Sequence, residues 1–234
     1  ELGIDFQVFN LNVAKGVARN HLGLKLDQKM VFSPRSFRPN SNIESIIETI
    51  PIVNKIFSDV QYVFCRHFGE LKQNYINLII ELGVEDNVKF TGFLDNELDM
   101  PFYSTDADVI LSVLSSDSSP RSVYEAMACG TPVIISELPW YHDKFERNKE
   151  LLTVPAKNPN QLAHIIIQVL NKENLPDLDS AYQNVKESRH KWYMEDFLDY
   201  LSDPDNPDNY DAPIEQYENV NIYSFNTSSR KGGF

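Results

Sequence analysis

Two acidic residues, Asp117 and Glu125, are the side chains in this sequence that are best placed for chemistry. Asp117 follows a short apolar run, and Glu125 lies one turn inside a predicted helix that opens with Ser119-Pro120. A serine before a proline favours a helix start, and the first amides of a helix carry partial positive charge that suits a phosphate. Carboxylates accept hydrogen bonds from hydroxyls. The stretch therefore predicts a pocket for a ligand with both hydroxyls and phosphates, such as a sugar nucleotide.

Each of these residues also has an ordinary structural interpretation. Simple helix capping explains Ser119-Pro120, and an Asx-turn explains Asp117. Glu125 has Arg121 one helical turn before it and can pair with that side chain or with the backbone. The residue types alone leave the structural and the ligand-binding interpretations of Glu125 equally open.

Short apolar, β-branched runs alternate with helical patterns from residue 27 to residue 201. This alternation predicts an α/β fold with a doubly wound parallel sheet, which is Rossmann-like. The predicted strands are Met30–Ser33, Val60–Cys65, Val88–Thr91, Asp108–Val113, Pro132–Ser136 and Leu151–Val154. The predicted helices are Asn42–Ile56 with a break at Pro51, Glu70–Leu82, Asn96–Tyr103, Pro120–Cys129, Pro159–Asn171 and one or two within Asp177–Leu201.

Ligands of such sheets bind beyond the carboxyl ends of the strands, and four polar or small residues follow predicted strands there. These residues are Arg35, Arg66, Gly92 and Asp117. The planar guanidinium of Arg35 matches phosphate oxygens. The usual NAD and P-loop patterns are missing, and the scattered histidines predict no metal site.

The composition describes an ordinary globular chain, with 234 residues, 42% hydrophobic and 24% charged. A net charge of -13 argues against nucleic acid or an anionic membrane as the main partner. Cys65 and Cys129 lie in apolar runs that are typical of buried, reduced thiols. No run reaches the roughly 20 apolar residues that span a bilayer. These features predict a cytoplasmic protein.

Two terminal segments lie outside the predicted domain. Residues 1–26 combine an apolar cluster with a helical stretch and are predicted to be an interdomain entry segment. Residues 202–234 are acidic and rich in Pro, Asp and Asn, which predicts a disordered tail. Because the chain begins at Glu1 rather than at a methionine, we expect it to be a fragment, an expressed piece of a longer protein or a processed product.

The run S-S-D-S-S-P-R-S-V-Y-E-A-M-A-C-G-T-P-V-I, residues 115–134, resembles the signature of retaining glycosyltransferases of the two-domain GT-B type, specifically family four. Residues 86–93 resemble the N-V-x-F-x-G-F segment of this family, and residues 106–109 resemble its A-D-V strand. The likeness covers roughly residues 2–200. It implies that the chain is the C-terminal, donor-binding half of such an enzyme, with residues 27–201 as the donor-binding domain.

The resemblance implies that the chain is part of an enzyme that transfers a sugar from a nucleotide-diphosphate donor with retention of configuration. Arg35 would clamp the phosphates, Glu125 would bind the ribose hydroxyls and Asp117 would face the transferred sugar. The other implied donor-binding residues are Arg38, Gly92, Phe93, Leu94, Ser118, Ser119, Arg121, Ser122 and Val123. Two positions depart from the family: Asp117 replaces its usual glutamate, and Asn40 replaces a lysine. Either Arg38 substitutes for this lysine or phosphate stabilisation is weaker.

The resemblance also implies the partners. These are the nucleotide sugar as donor substrate, an acceptor glycan, lipid or small molecule, and an N-terminal acceptor domain that would carry any peripheral membrane contact. No metal and no further cofactor are implied. We expect this piece alone to bind donor weakly and to transfer poorly, because the active cleft would lie between two domains. Two alternatives are a nucleotide-sugar epimerase of similar fold and a non-catalytic nucleotide-sugar-binding module.

Overall fold

Six parallel strands form one sheet in the computed structural model of the chain. In chain order they are β1 (Met30–Ser33), β2 (Gln61–Cys65), β3 (Val88–Gly92), β4 (Val109–Ser112), β5 (Val133–Ser136) and β6 (Leu152–Val154). The structure describes residues 4–65, 71–117, 120–142 and 144–187, so the predicted tail lies outside the described residues. Every predicted strand is confirmed to within one residue at each end.

Helices precede the first strand, connect most successive strands and follow the last one. They are α1 (Val17–Leu22), α2 (Ile43–Ile47), α3 (Ile50–Asn54), α4 (Lys72–Glu81), α5 (Met100–Asp106), α6 (Arg121–Ala128) and α7 (Pro159–Leu170), and residues 178–187 are also helical. Within the described ranges, none of these helices is both long and apolar enough to cross a membrane.

The strand order across the sheet is β3-β2-β1-β4-β5-β6. The chain therefore moves outward from β1 to β3 and then returns to place β4 on the other side of β1. This return makes the gap between β1 and β4 the switch point of the sheet, where ligands of doubly wound folds bind. The predicted fold class is confirmed.

Alternate strand residues pack on opposite faces of the sheet, so helices cover both faces. Met30 and Phe32 of β1 pack with buried residues of α1, α5 and α6. Val31 of β1 and Val109 of β4 pack with buried residues of α2, α3, α4 and α7. Burial on both faces explains why the inner strands are continuous apolar runs.

One predicted helix starts later than expected. The sequence predicts a helix over Asn96–Tyr103, but α5 begins at Met100 because a polar turn precedes it. Asp95 Oδ1 accepts the Leu98 amide at 3.0 Å, and Asp99 Oδ2 accepts the Asp95 amide at 2.8 Å. The bond from the Leu98 amide is the main cause that lowers the pKa of Asp95 below its ordinary value. The aspartates thus compete with the helix for these amides.

The helix predicted over Asn42–Ile56 is interrupted, as expected, but slightly earlier than Pro51. It forms α2 and α3, and Pro51 lies in the first turn of α3. Thr49 is fully buried between the two helices, and its hydroxyl donates to the Ile46 carbonyl at 2.6 Å. Proline suits a first helical turn because its missing N–H has no intrahelical partner there.

The described part of the entry segment, residues 4–26, contributes to the core of the sheet domain. Ile4, Phe9 and Leu24 are buried in the same cluster as the strand residues of one face. The domain boundary at residue 26 remains a prediction.

A buried polar clasp holds α1 against the start of β4. Asp106 accepts the Gly16 amide at 2.5 Å and the Arg19 amide at 3.1 Å. The Arg19 guanidinium in turn donates to the Asp106 carbonyl at 2.7 Å and to Asp108 Oδ2 at 2.9 Å. Both Arg19 and Asp106 are buried, so each charge depends on the other residues of the clasp.

The helix at residues 178–187 is anchored in a similar way by one buried carboxylate. Glu150 Oε1 accepts from Ser180 Oγ at 2.8 Å and from Asn184 Nδ2 at 3.2 Å. Ala181 is buried in the core between these two residues. The predicted helix within Asp177–Leu201 is confirmed up to residue 187, and its remainder lies outside the described residues.

Candidate functional site

Arg35 bridges the carboxyl ends of β1 and β4. Its Nη2 lies 2.9 Å and its Nε 3.2 Å from Ser112 Oγ, so both nitrogens point at one hydroxyl. The same Nη2 lies 3.5 Å from Asp117 Oδ2. The arginine and the aspartate are each about one-fifth exposed, at 22% and 21%. The predicted strand-end residues Arg35 and Asp117 therefore meet at the switch point of the sheet.

A second polar contact at the same edge joins the loop after β1 to the loop after β4. Asn42 Nδ2 donates to the Val113 carbonyl at 2.8 Å, and Asn42 Oδ1 accepts from Ser115 Oγ at 2.8 Å. The Asn40 carbonyl accepts the Ser115 amide at 2.9 Å. Asn42 adopts a left-handed conformation with φ of 47°, which asparagine tolerates better than most residues. The contact fixes the loop that leads to Asp117.

We expect Asn42→Gly to lower the free energy of unfolding by about 1–3 kcal/mol, because glycine keeps the left-handed backbone but loses both side-chain hydrogen bonds. Asn42→Asp should lose more, since a carboxylate would then face the Val113 carbonyl. Urea unfolding followed by circular dichroism measures both. The control is Lys157→Gly, at an exposed left-handed position with φ of 58°. An Asn42→Asp variant as stable as the parent chain would contradict this role.

Glu125 is buried in the first turns of α6, at 2% exposure. Its Oε1 lies 2.8 Å from Arg121 Nε and 3.1 Å from Asn96 Nδ2. The sequence left open whether Glu125 pairs with Arg121, and the structure shows this ion pair. The Arg121 side chain is 37% exposed, so this ion pair lies at the rim of the domain. Asn96 lies on the β3–α5 connection, and the sequence did not predict its contact with Glu125.

The start of α6 differs from the prediction by one residue. Pro120 occupies the N-cap position instead of the first helical turn, and it has no side chain that can cap. The Val123 amide, predicted to face a ligand, donates to the Pro120 carbonyl at 2.9 Å because the helix opens with a tight turn. The Ser122 hydroxyl is buried and makes no hydrogen bond to the described residues. This hydroxyl is a donor that a ligand oxygen can satisfy.

The residues predicted to line a base divide between the surface and the core. Gly92 ends β3 with φ of +76°, a conformation that favours glycine. Phe93 follows with 73% exposure, whereas Leu94 is only 3% exposed and belongs to the core. Leu94 can therefore present only its backbone to a ligand, and Phe93 presents an aromatic ring.

Three further predicted residues remain predictions. Arg38 is exposed, and its side chain forms no hydrogen bond or ion pair with a described residue. Ser118 and Ser119, like Arg66, lie outside the described residues.

The two cysteines are buried, as predicted from their apolar neighbours. Burial raises the pKa of the Cys129 thiol to about 11. The two cysteines are not joined in a disulfide. Cys65 is the last residue of β2, and Cys129 directly follows α6.

Together these residues form a polar rim at the carboxyl end of the sheet. It combines a guanidinium at the switch point, a helix start with a buried hydroxyl, and a buried carboxylate one turn further on. A guanidinium and a helix start favour phosphate oxygens, and a carboxylate accepts from sugar hydroxyls. The rim can therefore bind a ligand that carries both groups.

Comparison with known proteins gives the family. The family described as glycosyl transferases group 1 matches residues 15–189. An uncharacterised glycosyltransferase of Methanocaldococcus jannaschii is 26% identical over 174 residues, which are 72% of this chain and 43% of that protein. The chain thus spans less than half the length of this curated relative.

Solved structures share the fold. The C-terminal domain of a glycosyl transferase group 1 family protein from Francisella tularensis has a TM-score of 0.68 at 16% identity, over 79% of this chain and 97% of that chain. Anabaena Alr3699/HepE, solved in complex with UDP and glucose, has a TM-score of 0.68 at 18% identity, over 84% of this chain and 55% of that chain. Since the family match covers most of the sequence, the chain belongs to the glycosyl transferases group 1 family.

Proposed function

We propose that the whole protein transfers a sugar from a nucleotide-diphosphate donor to an acceptor with retention of configuration, and that this chain supplies the donor-binding half. The observation that carries the proposal is the position of Arg35. Its contacts with Ser112 and Asp117 put a guanidinium at the switch point of the sheet, where ligands of this fold bind. Family membership and the UDP and glucose bound by the Anabaena neighbour support a nucleotide sugar as the ligand class.

The diphosphate is assigned to Arg35 and the start of α6. The Arg35–Asp117 pair is long at 3.5 Å and partly solvated, so it is weak and a phosphate can replace the carboxylate. The Ser122 hydroxyl supplies a donor that has no described partner. As the bond to the leaving diphosphate breaks, these groups stabilise its growing negative charge.

The nucleoside and the transferred sugar are assigned to the residues on either side of this diphosphate site. Glu125 accepts from the ribose hydroxyls, with Arg121 balancing its charge. The Gly92–Phe93 backbone lines the base. Asp117, released from Arg35 by the phosphates, faces the transferred sugar. The acceptor, whether glycan, lipid or small molecule, and an N-terminal acceptor domain complete the cleft in a cytoplasmic protein.

Titration of this chain with UDP, GDP, ADP and TDP by isothermal calorimetry tests the donor site. We expect saturable binding with one ligand per chain for at least one of the four, and weaker binding of the matching nucleoside. If none binds, either to this chain or to a longer protein that contains it, the proposal is wrong. Retention is tested on the longer protein, by the proton NMR coupling of the anomeric hydrogen in donor and product.

A further inference from the structure

We infer that Asn96 is a positioning residue that orients the Glu125 carboxylate for ribose, and so makes the site selective for ribonucleotides over 2′-deoxyribonucleotides. This inference rests on the proposed function, in which Glu125 accepts from the ribose hydroxyls. It adds a residue and a selectivity that the family match does not supply.

The amide of Asn96 makes a well-formed hydrogen bond to Glu125. Nδ2 lies 3.1 Å from Oε1, and because a carboxylate only accepts, the NH₂ group of the amide must face it. Arg121 Nε is closer to the same oxygen, at 2.8 Å, but that Nε–H is not aligned for a hydrogen bond to any described residue. Of these two contacts, the one from Asn96 therefore gives directional control of the carboxylate.

The turn that carries Asn96 is held in place by its own hydrogen bonds. Asp95 Oδ1 accepts the Glu97 and Leu98 amides at 2.9 and 3.0 Å, so this carboxylate joins the residue before Asn96 to the two residues after it. Asp99 Oδ2 accepts the Asp95 amide at 2.8 Å. Since the backbone on both sides of Asn96 is fixed, its amide is a rigid donor rather than a mobile surface group.

The Asn96–Glu125 bond also joins two parts of the proposed site that are distant in sequence. Phe93 and Asn96 lie on the connection from β3 to α5, whereas Glu125 lies on α6. The bond therefore fixes the segment assigned to the base relative to the carboxylate assigned to the ribose. A loss of this bond changes the geometry of ribose recognition without removing a group that touches the phosphates.

The first test compares UDP with 2′-deoxy-UDP in calorimetric titrations of the parent chain and of Asn96→Ala. The parent chain should prefer UDP, and Asn96→Ala should reduce this preference by about tenfold, since the carboxylate loses a charge-assisted bond that directs it. Glu97→Gln, at the exposed neighbouring position, should keep the preference unchanged. Thermal unfolding by circular dichroism shows that each variant is folded.

The second test uses Asn96→Asp, which places a second carboxyl about 3 Å from Glu125. As the pH falls, two carboxylates at this distance come to share one proton. The carboxyl at position 96 can then donate a hydrogen bond to Glu125, as the asparagine amide does. UDP affinity relative to the parent chain at the same pH should therefore rise by about tenfold from pH 8 to pH 5.5. The other charged groups nearby, Asp95, Asp99 and Arg121, are common to both proteins, and the high pKa of Cys129 keeps that thiol neutral.

The outcomes separate the inference from the function on which it rests. If the parent chain prefers UDP and Asn96→Ala keeps that preference, Asn96 has no positioning role and the donor site stands. The same conclusion follows if the UDP affinity of Asn96→Asp relative to the parent chain does not change with pH. If the parent chain binds UDP and 2′-deoxy-UDP equally, the ribose assignment of Glu125 fails together with the inference. If no nucleoside diphosphate binds at all, the proposed function fails and the inference with it.

Discussion

Replacing Arg35 with alanine should weaken binding of a nucleoside diphosphate by about 100-fold, because the variant loses charge-assisted hydrogen bonds of about 1.5–3 kcal/mol each. The guanidinium is held between Ser112 and Asp117 at the switch point of the sheet, so its charge is already in place before a ligand arrives. Calorimetry with UDP measures the loss. Binding of uridine, which has no phosphate, should change much less.

Arg38→Ala is the matched control for this prediction. It removes the same charge from the same loop, but Arg38 is exposed and forms no ion pair with a described residue. Its loss should weaken UDP binding by no more than about threefold, since solvent screens an exposed charge. If the two variants bind UDP equally well, Arg35 has no special role, and the assignment of the phosphate site is wrong.

Asp106→Ala should lower the free energy of unfolding by about 3–5 kcal/mol, because it breaks a buried, charged network. The variant leaves the Gly16 and Arg19 amides without their acceptor. The guanidinium of Arg19 keeps its contacts with the backbone carbonyl of residue 106 and with Asp108, so the loss comes from the two amides. The midpoint of urea unfolding measures the loss.

The control for Asp106→Ala is Asp59→Ala, which makes the same chemical change at an exposed residue. It should change the free energy of unfolding by less than about 0.5 kcal/mol. A loss below about 1 kcal/mol for Asp106→Ala would show that solvent or rearranged side chains replace the clasp.

Most of the sheet was predictable from the sequence because its inner strands are buried on both faces. That burial favours apolar residues at most positions of these strands, so runs such as Met30–Ser33 stand out from the amphipathic helices around them. The same reasoning places Arg35 and Asp117 at one edge, since both follow strands directly. The structure confirms that these two side chains meet, at 3.5 Å.

Polar contacts between distant loops were not predictable in this way. Asn42 and Asn96 each bond to a partner far away in the sequence, and a single asparagine in a loop has no periodic pattern that marks it. The late start of α5 was missed for a related reason, because aspartate side chains at positions 95 and 99 hold the amides that a helix would use. In both cases side-chain hydrogen bonds override the local preference of the backbone.

At the start of α6, an error of one residue in the predicted helix boundary affects the proposed phosphate site. Ser119-Pro120 correctly predicts a helix start, but the helix begins one residue later, at Arg121. As a result the Val123 amide bonds within the opening turn. The buried Ser122 hydroxyl in the same turn makes no hydrogen bond to a described residue. A shift of one residue thus changes which groups can contact a phosphate.

The side-by-side placement of β1 and β4 also bears on how the chain folds. Arg35 and Asp117 are 82 positions apart, and their contact closes the stretch of chain that carries β2 and β3 into one long loop. Closing so long a loop is slow, because its entropic cost precedes any stabilising contact. During refolding, the ability to capture a phosphate-bearing ligand should therefore appear late, after most of the helical signal has returned.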